Sequence, residues 1–254
     1  MIQLDSLTHT DFETSETSKI GSETSKIVKV APYTSSVSPW LAPLAYTLVG
    51  DIAIPFYFGQ IEVTGQVNLP TSGPVILAPT HRSYWDSLFV AYATGRRVTG
   101  RDPRFMVSVD HCKGVKGWFI RHLGGFPVDT TRPAITTLRH GVKVLQQKEM
   151  LVIFPEGNIF RDGYVHPLKP GIARLALSAE SSQPELGVKI IPIGIRYSQT
   201  FPQWGCDVNL CIGSPLVVAN YHQGSMKQDA KHLTRDLELA LKELSGQIKE
   251  EHGN

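Results

Sequence analysis

The chain has 254 residues, 41% of them hydrophobic and 19% charged, with a formal net charge of +2. This is an ordinary globular composition, long enough for one large α/β domain or two small ones. Three cysteines without regular spacing, Cys112, Cys206 and Cys211, exclude a disulfide framework, make a reducing compartment the default, and leave no metal-ligand pattern.

The opening "MIQLDSLTHTDF" is polar and acidic, unlike a signal peptide. "ETSKI" follows at Glu16–Ile20 and again at Glu23–Ile27, in a Ser/Thr-rich stretch with few large apolar groups. Residues 1–36 bury too little surface to offset their ordering entropy and read as a disordered tail. Residues 37–60 are apolar and aromatic but broken by Pro43, Gly50, Asp51 and Pro55. They fit a membrane-interfacial segment through Trp40, Tyr46, Phe56 and Tyr57, or a helix covering the core; the two are compatible. No run of about 18 uncharged apolar residues occurs, so no transmembrane helix is expected.

Strand candidates follow at 61–65, 74–79, 105–109, 126–128, 150–155, 190–197 and 207–213. Helices are expected after Ser83, over Pro133–Gln147 with apolar residues at spacings of three and four, from about Gly171, and over about 225–249 on a leucine stripe. The alternation predicts an α/β fold: a single domain over 61–254 with a mixed, mostly parallel sheet and helices on both faces. Pro192 places its strand at a sheet edge or a bulge. The segment 96–143 holds ten basic against three acidic side chains, +7 in a chain of +2, which fits an anionic ligand or membrane surface as well as a solvated face. Nothing points to nucleic acid.

After the apolar run "PVILAP" comes "THRSYWDS", with His81 and Asp86 five positions apart. On a continuous helix five residues turn the chain by roughly 500°, leaving the side chains about 140° apart. They meet only if His81 sits in the strand-to-helix turn and Asp86 lies one turn inside the helix. Such a pair is a candidate general base, because the carboxylate fixes the tautomer and stabilises the imidazolium. A capping histidine beside a surface aspartate is the plainer alternative. "FPEG" at Phe154–Gly157 puts Glu156 and Gly157 at another strand end, as a ligand contact or a charged turn. "GGFPVDTTR" at Gly124–Arg132 and "KIIPIGI" around Pro192 complete four blocks.

In this order the blocks resemble the glycerolipid acyltransferase family that includes 1-acylglycerol-3-phosphate acyltransferases, over about 61–217. His81 and Asp86 match its HxxxxD motif, Gly125 and Asp129 its second block, Phe154–Gly157 its third, and the strand around Pro192 its fourth. "LKPGIARLA" also looks like the family's basic-glycine helix start. The chain departs where Arg132 stands three residues after Asp129, where "NIFR" ending in Arg161 replaces Thr-Arg-Ser, and where Asp110 replaces a lysine.

The resemblance implies that His81 is the base and Asp86 holds it, while Gly125, Asp129, Arg132, Glu156, Gly157 and Arg161 bind the acceptor. It implies no cofactor and no metal, with acyl-CoA or acyl carrier protein as the donor substrate. The implied partners are a lysophospholipid acceptor and a membrane surface, with peripheral attachment at the cytoplasmic face. The first acceptor expected is 1-acylglycerol-3-phosphate, giving phosphatidic acid. Glycerol-3-phosphate or a lysolipid without a terminal phosphate are alternatives. A His/Asp thioesterase or lysolipid hydrolase and a non-catalytic lipid-binding module are more distant rivals; the absence of a G-x-S-x-G elbow counts against a serine esterase.

Overall fold

The computed structural model describes residues 36–128 and 135–247. The strands are β1 (Ile61–Thr64), β2 (Val75–Pro79), β3 (Pro103–Ser108), β4 (Gly125–Val128), β5 (Met150–Val152), β6 (Lys189–Tyr197), β7 (Val208–Ile212) and β8 (Leu216–Val217). They form one sheet in the order β1-β7-β6-β2-β5-β3-β4, with β8 beside β6. All neighbours run parallel except β6 with β7 and with β8. Every residue of β2 is buried, as its unbroken apolar text requires of a strand covered on both faces. Edge strand β1 alternates in burial instead.

The helices are α1 (Leu41–Ala45), α2 (Ile54–Tyr57), α3 (Asp86–Thr94), α4 (Arg96–Thr99), α5 (Gly114–His122), α6 (Ile135–Gln146), α7 (Gly171–Ser182) and α8 (Met226–Leu244). On one face of the sheet Ile76, Leu151 and Ile190 pack with Leu145, Ala176, Leu237 and Leu241. On the other, Val75, Leu77 and Ile193 pack with Phe89, Val90, Ile54 and Phe58. The expected α/β sheet with helices on both faces is what the chain forms. The tail of residues 1–35 and the end of the last expected helix, with Ile248, lie outside the described residues.

Four expectations need correction. The eighth strand, only two residues long, was too short to read. The segment expected to be broken at Gly50 and Pro55 is continuous, because π-helical residues Tyr46–Ala53 join α1 to α2. The wider register ends where Ile54 N–H bonds Val49 O, and Pro55, which has no N–H, falls where the α register resumes. Pro192 lies in the interior of the sheet rather than at an edge. On one side of β6, Lys189 and Ile190 pair with β8 and Ile193 to Tyr197 pair with β7, so the proline falls in the gap between two partners. Its carbonyl accepts Gly213 N–H there, and a missing donor leaves no partner unbonded.

The basic segment is also less available than its charge implied. Arg96 pairs with Asp102, Arg97 with Asp51 and Arg104 with Glu149. Arg101 donates to the carbonyls of Pro70, Gly73 and Lys148, and Arg121 to that of Cys112. Half of the ten basic side chains therefore bind the fold itself.

Candidate active site

β2 and β5 are parallel neighbours, so the loops leaving their carboxyl ends lie side by side, where α/β sheets place their sites. The loop after β2 wraps around the Asp86 carboxylate. Oδ2 accepts the N–H of Arg82 at 2.6 Å and of Ser83 at 2.8 Å, and the His81 ring Nδ1 lies 2.8 Å away. Asp86 is the first residue of α3 rather than one turn inside it. From there its carboxylate satisfies loop N–H groups and complements the positive end of the helix. The pairing expected from the sequence is thus made by a shorter route.

With Nδ1 facing a buried carboxylate, the proton sits on Nδ1 and Nε2 is left to accept. Nε2 has no partner among the described residues. The ring stacks on Phe154 at a centroid distance of 4.0 Å. The Tyr197 hydroxyl donates to Asp86 Oδ1 at 2.7 Å. Burial, followed by the Asp86 charge, pushes the Tyr197 pKa far above the usual tyrosine range.

Glu156, expected to contact the acceptor, is buried with its bonds turned into the protein. Its carboxylate accepts His81 N–H at 2.7 Å, Arg82 Nη1 at 3.1 Å and His166 N–H at 3.0 Å. Arg82 Nη1 also reaches the carbonyls of His81 and Phe160. The Arg82–Glu156 ion pair therefore ties the two motif loops together, and removing either partner would strand a buried charge.

His81 opens on a cleft of about 810 Å³, lined also by Phe154, Gly157, Asn158, Arg161 and Lys169. Among the described residues its charged lining consists of two cations, Arg161 and Lys169. Arg161 lies over the Phe201 ring at 5.1 Å. Gly157 has φ +75°, a conformation that favours glycine, and a Cβ there would fall 2.5 Å from Lys169 Nζ and displace the end of the lysine. Gly125 lies elsewhere. It lines a second, apolar cavity of about 480 Å³ with Ala42, Tyr46, Gly50, Leu88 and Phe119. Tyr84, Ser87 and Val107 border both cavities, so the two adjoin. Asp129 and Arg132 lie outside the described residues.

Sequence reasoning therefore brought His81, Asp86, Glu156, Gly157 and Arg161 to one place, with Glu156 in a different position from the one expected. It missed Tyr197 and Arg82 and did not single out Lys169. Arg82 and Lys169 stood inside quoted motifs; nothing in the local spacing ties Tyr197 to Asp86, 111 residues away.

The family described as Acyltransferase matches residues 60–196. A 1-acyl-sn-glycerol-3-phosphate acyltransferase of Bacillus subtilis is 24% identical over 75% of this chain and 90% of its own length. One of Streptococcus pneumoniae is 28% identical over 46% of this chain, which spans 40% of that relative. The mouse mitochondrial glycerol-3-phosphate acyltransferase 1 is 27% identical over 58% of this chain and 19% of its own length. The solved structure of the 1-acyl-sn-glycerophosphate acyltransferase PlsC from Thermotoga maritima shares the fold, with a TM-score of 0.58 at 22% identity over 77% of this chain and 76% of that one. Motif blocks, fold and family match agree: the chain belongs to the acyltransferase family.

Proposed function

We propose that the protein moves a fatty acyl group from a thioester, acyl-CoA or acyl carrier protein, to the hydroxyl of a lysophospholipid, with 1-acylglycerol-3-phosphate as the acceptor and phosphatidic acid as the product. The observation that carries this reading is a His81 ring braced by Asp86, facing a cleft that Arg161 and Lys169 line and that adjoins an apolar cavity. His81 Nε2 takes the acceptor hydroxyl proton as that oxygen attacks the thioester carbonyl. The tetrahedral intermediate collapses with C–S cleavage, and the thiolate leaves with the proton returned by the imidazolium. Arg161 and Lys169 hold the acceptor phosphate, and the apolar cavity takes an acyl chain. Holding both substrates together contributes up to about 7–11 kcal/mol. Asp129, which matches the family's second block, and Arg132, displaced to three residues beyond it, remain proposed acceptor contacts.

Peripheral membrane attachment, on the cytoplasmic face, belongs to the same reading. Trp40, Leu44, Leu48, Ile52 and Phe56 form an exposed apolar row spaced by four along the α1–α2 run. The opposite side of this run, through Ala42, Ala45, Tyr46 and Val49, lines the apolar cavity. No helix among the described residues is long and apolar enough to cross a membrane.

The test is purified protein with radiolabelled acyl-CoA and a panel of acceptors. Label entering phosphatidic acid supports the reading. Preference for glycerol-3-phosphate, the acceptor named for the mouse relative, or for a phosphate-free lysolipid rejects the acceptor; free fatty acid as the product rejects acyl transfer.

A further inference from the structure

We infer that Tyr197 is a positioning residue that orients the Asp86 carboxylate and, through it, the His81 ring; this rests on the acyl-transfer reading of His81. Asp86 Oδ2 receives donors from one loop only: His81 Nδ1 at 2.8 Å, Arg82 N at 2.6 Å and Ser83 N at 2.8 Å. Three bonds converging on one oxygen leave the carboxylate free to swing its other oxygen. Among the described residues Oδ1 has one bond, from the Tyr197 hydroxyl at 2.7 Å, arriving from the neighbouring strand β6. That bond sets the carboxylate plane and so aims the Oδ2 lone pair at Nδ1.

The tyrosine is itself fixed. Its ring meets Phe89 edge-on at 6.0 Å, and its backbone pairs with Val208. The same strand end also holds the start of the histidine loop. Thr80 N–H donates to Ile193 O at 2.9 Å, and Thr80 Oγ1 accepts Ile195 N–H at 2.9 Å. β6 therefore grips the loop at Thr80, next to His81, and at Asp86. Burial keeps the Tyr197 hydroxyl protonated well beyond neutral pH, so it stays a donor throughout the working range.

The bond has an electrostatic consequence. A donor on Oδ1 draws charge from the carboxylate and weakens the hold of Oδ2 on an imidazolium. Without it, Asp86 keeps a buried oxygen unbonded and stabilises the imidazolium more strongly. Other polar and charged groups about His81 include Glu156 on its backbone N–H, Arg82 on its carbonyl, and Tyr84, Ser87, Asn158, Arg161 and Lys169 around the cleft, while the Ser83 side chain bonds Tyr197.

The experiment compares wild type, Tyr197→Phe and Leu237→Ala in acyl transfer from acyl-CoA to 1-acylglycerol-3-phosphate across pH. Tyr197→Phe is expected to lower kcat about 10-fold with both KM values within about 2-fold. The acidic limb of its kcat/KM profile moves about half a unit to higher pH. Leu237→Ala, in the core on the other face of the sheet, lowers Tm and leaves the limb in place. A more acidic donor, 3-fluorotyrosine at position 197, keeps the fold and moves the limb to lower pH. An unmoved limb in both position-197 variants, or an equal shift in Leu237→Ala, overturns the assignment. His81→Ala separates the two levels: if it abolishes transfer while the limb ignores position 197, only the role of Tyr197 falls, and if transfer survives it, the reading of His81 falls as well.

Discussion

The histidine loop and the apolar cavity lie side by side and are built in opposite ways. The loop is seven consecutive residues, Thr80 to Asp86, folded around one buried carboxylate whose oxygens are all engaged. The cavity is drawn from segments spread between Val37 and Gly125, and small residues such as Ala42, Gly50 and Ala91 shape it. Polar positioning is thus concentrated in a short stretch and enforced by hydrogen bonds. Apolar volume is distributed and enforced by what is missing from the packing. The first depends on the carboxylate at its centre, because the loop N–H groups it bonds would be costly to leave unpaired; the second tolerates change of shape.

The contrast can be broken most forcefully at the ring. His81→Ala is expected to lower kcat/KM about 10³–10⁴-fold with Tm nearly unchanged, read by initial rates and a thermal melt. Asp86→Asn follows, at about 10²–10³-fold, because an amide spoils the tautomer and the charge that holds it. Unlike His81→Ala, it also lowers Tm, since the carboxylate bonds two loop N–H groups.

Away from both regions, Leu237→Ala in the core under the sheet should cost about 2–5 kcal/mol in denaturant unfolding and leave kcat/KM at 25 °C unchanged. Within the cavity, Gly50→Leu should act only on the acyl donor. A Cβ at Gly50 meets nothing closer than Tyr92 at 3.8 Å, so the larger side chain extends into the empty space. Long-chain thioesters then lose about 10-fold in kcat/KM while short ones keep their rate, as two methylenes at about 0.8 kcal/mol each would give. A uniform loss across chain lengths would break the assignment of this space to an acyl chain.

The smallest effect is on alkaline stability. Burial raises the Tyr46 hydroxyl, at the cavity wall, to about 12 from 10.0. A raised folded value means stability fully present below pH 10 and lost as pH climbs through about 12, measurable as a falling Tm that Tyr46→Phe removes.

The sequence revealed what is local. Strand positions followed from short apolar runs, and the His81–Asp86 pair followed from the geometry that five intervening bonds of chain allow. Pro192 misled because a proline reports a missing donor, whereas the hand-over of β6 from β8 to β7 that makes the donor unnecessary depends on strand order. Glu156 misled because a carboxylate at a strand end reads the same whether it faces a ligand or a neighbouring loop. Tyr197 was hidden for a third reason: its partner is distant in the chain, and only the register of β6 against β2 brings them together. The cavity's volume could not be read, since volume is a property of the packed assembly, although the apolar 37–60 segment that lines one side of it stood out in the sequence.

The central claim, that the Asp86-braced imidazole drives transfer of an acyl group to a lipid hydroxyl, is tested most directly by following the label of radiolabelled acyl-CoA in wild type and His81→Ala with 1-acylglycerol-3-phosphate present. The account predicts labelled phosphatidic acid from the wild type and almost none from the variant. Label recovered chiefly as free fatty acid, or phosphatidic acid formed at equal rates by both proteins, would contradict it.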